Sequence, residues 1–172
     1  MNHLFGFLLL SDSNLKILFT GLKALIYGAA FVGLWAWMAL GFRAYDNYFP
    51  VLPEWSGILG IVLISAGGIL ALLCLGLFVI RGKGTGAPFD PPREFVAVGP
   101  YRRVRNPMYI AGWLMFIGFG FYEHSIVILL FSLVFLLVAH LFVTLVEEPG
   151  LEKRFGQSYL EYKKSVNRWI PK

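Results

Sequence analysis

Apolar residues in this chain come in long, nearly uninterrupted runs rather than in alternating or once-per-turn patterns. Four such runs, at about residues 22–42, 56–80, 107–122 and 126–146, contain one lysine, Lys23, and no Asp, Glu or Arg. A helix that is apolar all round belongs inside protein or lipid, and roughly 20 such residues cross a hydrocarbon core ~30 Å thick. The pattern predicts four transmembrane helices. The third run is short for a crossing, so it is expected to tilt little, to start below the headgroups or to fail to cross completely. Beyond 146 the periodicity changes: Leu151, Phe155, Tyr159, Tyr162 and Val166 recur at helical spacing with charges opposite. That pattern predicts one amphipathic helix lying along the interface, with Pro149 in its first turn and Trp169 pinning its end. The expected fold is an all-α integral membrane protein, one domain over 1–172, with about four transmembrane helices plus a C-terminal amphipathic interfacial helix.

Composition agrees. The chain is 58% hydrophobic with a mean hydropathy of +0.68 and only 15% charged, more apolar surface than a soluble domain of this length can hide. Lys and Arg are unevenly placed: six lie in 81–106 and six after 146, against one in 43–55 and none in the Glu123-His124-Ser125 turn. Cationic loops stay on the cytoplasmic side, so the predicted protein is multi-pass with both termini cytoplasmic. The net charge of +5 then reflects topology and attraction to anionic headgroups; no nucleic-acid module accompanies it. Residues 1–10 read as an interfacial or partner-packing segment. Small residues of the second run (Ser56, Gly57, Gly60, Gly67, Gly68, Gly76) suit close helix approach. Trp35, Trp37, Tyr45, Tyr48 and Trp55 suit an interfacial aromatic belt. Cys74, the one cysteine, reads as buried packing, and the scattered His3, His124 and His140 suggest no metal site.

The chemistry concentrates where helices meet the basic side. The connection 81–106 is too long for a simple turn, and its Gly82-Lys-Gly-Thr-Gly86 stretch lacks the spacing and preceding strand of a phosphate loop. At its end, Pro107 biases Asn106 away from helical geometry, so the third helix should start at Pro107. Its unpaired first-turn N–H groups favour an anion. Tyr101 and Tyr109 offer rings and hydroxyls there, and Arg102, Arg103 and Arg105 add charge. On the fourth helix His140, Thr144, Glu147 and Leu151 share a stripe. His140 could bond a neighbouring helix or meet substrate. Glu147 sits where it could receive an ammonium group, with Glu148 aimed to one side; the pair could equally be a solvated cap of the tail helix. Carboxylates at that depth usually have partners. The short turn at 123–125 makes helices three and four an antiparallel hairpin, which brings Asn106–Tyr109 beside Thr144–Glu148. A ligand with carboxylate, ammonium and flat ring suits such a rim. S-adenosylmethionine has all three, and a dinucleotide fits more loosely.

The block Gly99-Pro-Tyr101…Arg105-Asn-Pro-Met-Tyr109, followed by Glu147-Glu148…Leu151…Phe155-Gly156…Tyr159…Tyr162…Val166…Trp169-Ile-Pro171, closely resembles the isoprenylcysteine carboxyl methyltransferase family. It is most similar to the small bacterial members, which are related to phospholipid methyltransferases, so a bacterial inner membrane is the implied location. The resemblance covers about the last half of the chain, from near Pro88. It implies that residues 1–80 are scaffold and 81–172 the cofactor-binding half, with a cytosol-facing pocket for S-adenosylmethionine and lateral entry of a lipid or amphipathic acceptor. Carried over, Tyr101, Asn106, Pro107, Met108 and Tyr109 line the cofactor site, Glu147 holds the cofactor, and Phe95 and Val96 contribute backbone contacts. Asn106 stands where the prenylcysteine enzymes usually have histidine, and Val143 where the eukaryotic ones place a substrate-facing arginine. The implied reaction is in-line methyl transfer to a prenylcysteine-like carboxylate or a lipid headgroup, driven by positioning, with Arg105 and Glu148 as positioning candidates and His140 as a substrate contact. Sterol-reductase-like NADPH enzymes share a similar proline-containing motif and tail, and a non-catalytic scaffold is the third class.

Overall fold

The computed structural model describes residues 2–87 and 90–171, with side chains from Asn14 onward. The packing of residues 1–10, and Pro88 and Phe89 of the basic connection, lie outside the described residues. Every regular element among those described is helical. Helix α1 (Asn2–Gly41) is followed by a 3-10 turn at Arg43–Tyr48, and α2 (Ser56–Leu77) ends in a π turn at Phe78–Gly82. Then come α3 (Pro107–Tyr122), α4 (Ile126–Phe142), a second π turn at Val143–Glu147, α5 (Glu148–Phe155) and α6 (Gln157–Ser165).

Three stretches are long and apolar enough to cross a membrane: Asn14–Gly41, Ser56–Gly82 and Ile126–Phe155. All three extend past the sequence-based bounds, the first and last by the most. Helix α3 has 16 residues and rises about 24 Å, less than the hydrocarbon thickness, so the expected fourth span is not reached by length alone. Its ends nonetheless lie at opposite ends of the bundle, because it packs along α2 and turns directly into α4. Leu18 and Ile26 of α1 and Ile58, Ile69 and Leu72 of α2 are exposed, as apolar side chains facing lipid are.

The α2–α3 pair is the most intimate in the molecule, and a glycine on each side explains it. A Cβ built on Gly60 would lie 2.6 Å from the Gly118 carbonyl oxygen, and one on Gly118 would lie 2.7 Å from the Gly60 oxygen. Only two bare backbones fit there. Of the other small residues, Gly67 also abuts α3, while Gly68 and Gly76 face open space. Phe116 of α3 meets Phe135 of α4 with ring centroids 4.9 Å apart, and Trp35 of α1 packs on Phe135 at 5.0 Å. Trp35 thus belongs to the helix core and not to the interfacial belt, whereas Trp37, Tyr45, Tyr48 and Trp55 are exposed.

At one end of the bundle, polar contacts fasten the loops. Asp46 accepts the Val127 N–H at 3.1 Å, Ser125 accepts the Ile128 N–H at 3.0 Å, Arg43 pairs with Glu123 at 2.6 Å, and Ser56 meets His124 Nδ1 at 3.1 Å. At the opposite end the expected single amphipathic helix is broken in two. Gly156 adopts φ 54°, ψ −128° between α5 and α6, a backbone region essentially closed to side-chain-bearing residues. The break folds α6 back against the loop that precedes α3.

Candidate functional site

The continuous helical stretch Ile126–Phe155 carries a π turn where Thr144 and Pro149 both disturb the ladder. The Thr144 hydroxyl donates to the His140 carbonyl at 2.8 Å, a back-bond that loosens helices. Pro149 has no N–H to give Leu145 and crowds that carbonyl. The Glu148 N–H reaches the Val143 carbonyl instead. One extra residue in the turn rotates everything beyond it, so the stripe expected from uniform spacing does not persist through Glu147 and Glu148.

The two glutamates consequently part. Glu147 stands on a cavity wall, where its carboxylate accepts the Tyr109 hydroxyl at 2.7 Å. Glu148 does not line the cavity. It is 3% exposed and accepts Arg105 at 2.7 Å and Arg168 at 2.8 Å through each of two nitrogens, with Lys163 at 3.5 Å. Arg105 also donates to the Lys163 and Val166 carbonyls, both at 3.0 Å. The hydrogen bonds to Glu148 hold the Arg168 guanidinium above its ordinary pKa. Neither glutamate is the solvated cap that was one of the two readings: one carboxylate faces the cavity and the other is the centre of a buried ion cluster.

The loop before α3 completes the walls. A 3-10 turn at Gly99–Arg102 buries Tyr101 among Cys74, Val96, Phe78 and Met108. Its hydroxyl lies beside the Cys74 thiol, without a hydrogen bond of ordinary geometry among the described residues. Asn106 (φ −125°, ψ 53°) is non-helical, as the following proline requires, and α3 starts at Pro107. The Asn106 amide donates to the Arg168 carbonyl at 3.3 Å. Phe95 packs against Phe155, Tyr159 and Tyr162 at 5.1–5.9 Å. Burial pushes the phenols of Tyr101 and Tyr159 up, and that of Tyr162 up to about 12, so all three are neutral. Tyr162 donates to the Tyr101 carbonyl at 2.6 Å.

These groups surround a cavity of about 380 Å³, within the range of small-ligand sites. Of the residues expected at the site, Phe95, Val96, Tyr101, Arg105, Asn106, Tyr109 and Glu147 line it. Pro107 and Met108 stand behind the wall, Met108 in the Tyr101 cluster. His140 is also off the cavity, and its partner is not a neighbouring helix: its Nδ1 accepts the Trp169 indole N–H of the C-terminal segment at 3.1 Å. Sequence reading assigned no site role to Phe78, Tyr159, Tyr162 and Arg154, which line the cavity, or to Arg168, which binds Glu148. The two tyrosines carried a signal, the aromatic stripe of the tail, which reads as membrane anchoring until the break at Gly156 turns it inward.

With this geometry in place, comparison with known families is informative. Residues 55–158 match the phospholipid methyltransferase family, and the chain belongs to it. It is therefore a membrane protein of a methyltransferase family. No individual curated protein matches the chain. The family match spans both π turns and most of the cavity wall and stops short of the segment that carries Arg168 and Trp169.

Proposed function

We propose that the chain is an S-adenosylmethionine-dependent methyltransferase whose acceptor is a membrane-embedded or amphipathic molecule, a lipid headgroup or a prenylcysteine-like carboxylate. The observation that carries this reading is Glu147: a carboxylate whose one hydrogen bond among the described residues comes from Tyr109, set in the wall of a cavity that is otherwise mainly aromatic and apolar. Such a site suits a compact cation attached to a flat ring. A negative charge and an aromatic ring beside one another attract ammonium and sulfonium groups, while Phe95, Phe155, Tyr159 and Tyr162 offer stacking surface for a purine. The Asn106 amide oxygen remains an acceptor on the same wall.

Bound S-adenosylmethionine would supply an activated methyl group for in-line displacement. The protein's part is then to hold and align. Glu147, Tyr109 and Asn106 orient the donor. The Arg105–Glu148–Arg168 cluster fastens the tail helices over the cavity and excludes water. Phe142 and Val146 line the cavity from the apolar helix, and Val146 is also 56% exposed on the outside, so an acyl or prenyl chain could approach along them. A carboxylate acceptor needs no base; an amine would have to lose a proton first. The segments at this end carry twelve of the fifteen Lys and Arg residues, and that excess supports reading it as the cytoplasmic side.

Ligand-induced stabilisation of the purified protein in detergent tests the reading. S-adenosylhomocysteine should raise the melting temperature and NADPH should not. Labelled methyl should pass from S-adenosylmethionine to a component of membrane lipid extract or to a small prenylated thiol. Stabilisation by NADPH alone would replace the reading with a reductase, and indifference to both would leave a scaffold.

A further inference from the structure

Three consecutive residues near the C-terminus reach back to the site. The Asn167 carbonyl accepts the Arg105 N–H at 2.8 Å, the Arg168 carbonyl accepts the Asn106 amide at 3.3 Å, and Trp169 donates its indole N–H to His140 Nδ1 at 3.1 Å. The Trp169 ring also stands 6.4 Å from the Tyr109 ring at 81°, the perpendicular arrangement aromatic pairs favour. Tyr109 in turn donates to Glu147. An indole N–H is a donor only, so His140 Nδ1 is the acceptor in this contact. A histidine inside an apolar helix is costly unless something uses it. Here it holds an indole that lines no part of the cavity but backs the phenol that does.

We propose that Trp169 and His140 are positioning residues for Glu147, acting through Tyr109: His140 fixes the indole, the indole fixes the Tyr109 ring, and the phenol aims the carboxylate. The proposal rests on the reading of Glu147 as the cation site and adds two residues to it, one of them beyond the segment matched by the family. It also gives His140 a role other than contact with substrate.

The test is calorimetric titration of full-length protein in micelles with S-adenosylhomocysteine, using His140→Leu, His140→Asn and Trp169→Phe, each alone and with Tyr109→Phe, with melting temperatures recorded alongside. Losing a hydrogen bond of ordinary strength should weaken binding about fivefold in His140→Leu and Trp169→Phe. His140→Asn keeps an acceptor near the Nδ1 position and should bind within about twofold of the parent. With Tyr109 already Phe, neither change should cost anything more, because coupled residues are not additive. Equal losses in His140→Leu and His140→Asn, or an undiminished loss in the Tyr109→Phe background, would mean general packing and overturn the proposal. So would unchanged affinity in both His140→Leu and Trp169→Phe. A parent protein that binds no S-adenosylhomocysteine would instead refute the cofactor reading itself, and this proposal with it.

Discussion

Glu147 and Glu148 are neighbours in opposite settings, one on the cavity wall and one in an ion cluster, and their substitution by glutamine should separate them. Glu147→Gln removes a charge from the cavity wall and leaves a group that can still accept from Tyr109. A charged hydrogen bond is worth about 1.5–3 kcal/mol, so affinity for S-adenosylhomocysteine should fall roughly ten- to hundredfold with little change in melting temperature. Glu148→Gln leaves Arg105, whose side chain is 8% exposed, without its counter-charge. Breaking a buried pair costs about 3–5 kcal/mol, so this variant should melt well below the parent. Equal melting temperatures would show that the ion cluster contributes nothing to holding the tail. That Glu147 would lie beside Tyr109 was legible in the sequence, because the three-residue turn at 123–125 folds α3 and α4 into a hairpin. Glu148 and Arg105 were both positioning candidates, but their pairing with one another and with Arg168 was not legible, since the partners of Glu148 lie 20 and 43 positions away and no local spacing announces them.

Among the elements, the α2–α3 contact and the second π turn set the positions of the cavity walls. Gly118→Val should cost about 3 kcal/mol or more by forcing two backbones apart, read as a lower midpoint in denaturing detergent. Gly68→Val faces open space and should leave the midpoint unchanged; a similar loss in both would mean that close approach is not what makes Gly118 necessary. Uniform apolar runs announced these helices well, because a chain must satisfy its own backbone hydrogen bonds in lipid. The π turn was less visible. Thr144 and Pro149 each disturb a helix, but whether the ladder widens, kinks or stops there depends on what is packed around it. The tail was misread as one helix because its apolar stripe runs straight through Gly156, and periodicity does not register a single residue with positive φ.

For the molecule as a whole, the C-terminal segment should behave as part of the site. A chain ending after Ser165 loses Arg168 from the ion cluster and Trp169 from His140. It should lose binding of S-adenosylhomocysteine as well as thermal stability, and parent-like binding would show that α5 and α6 suffice. By itself the sequence determined that this is a helical membrane protein, which end of it is basic, and that Asn106–Tyr109 and Glu147 belong to one rim. Those features follow from hydrocarbon thickness, charge asymmetry and a three-residue turn, all of them short-range or compositional. Only the tertiary structure decided which glutamate faces the cavity, which arginines pair with the other glutamate, and that the tail returns against the cavity wall. Those outcomes depend on one added residue in a helical turn and one break in a tail, small local changes whose consequences appear only where distant segments meet.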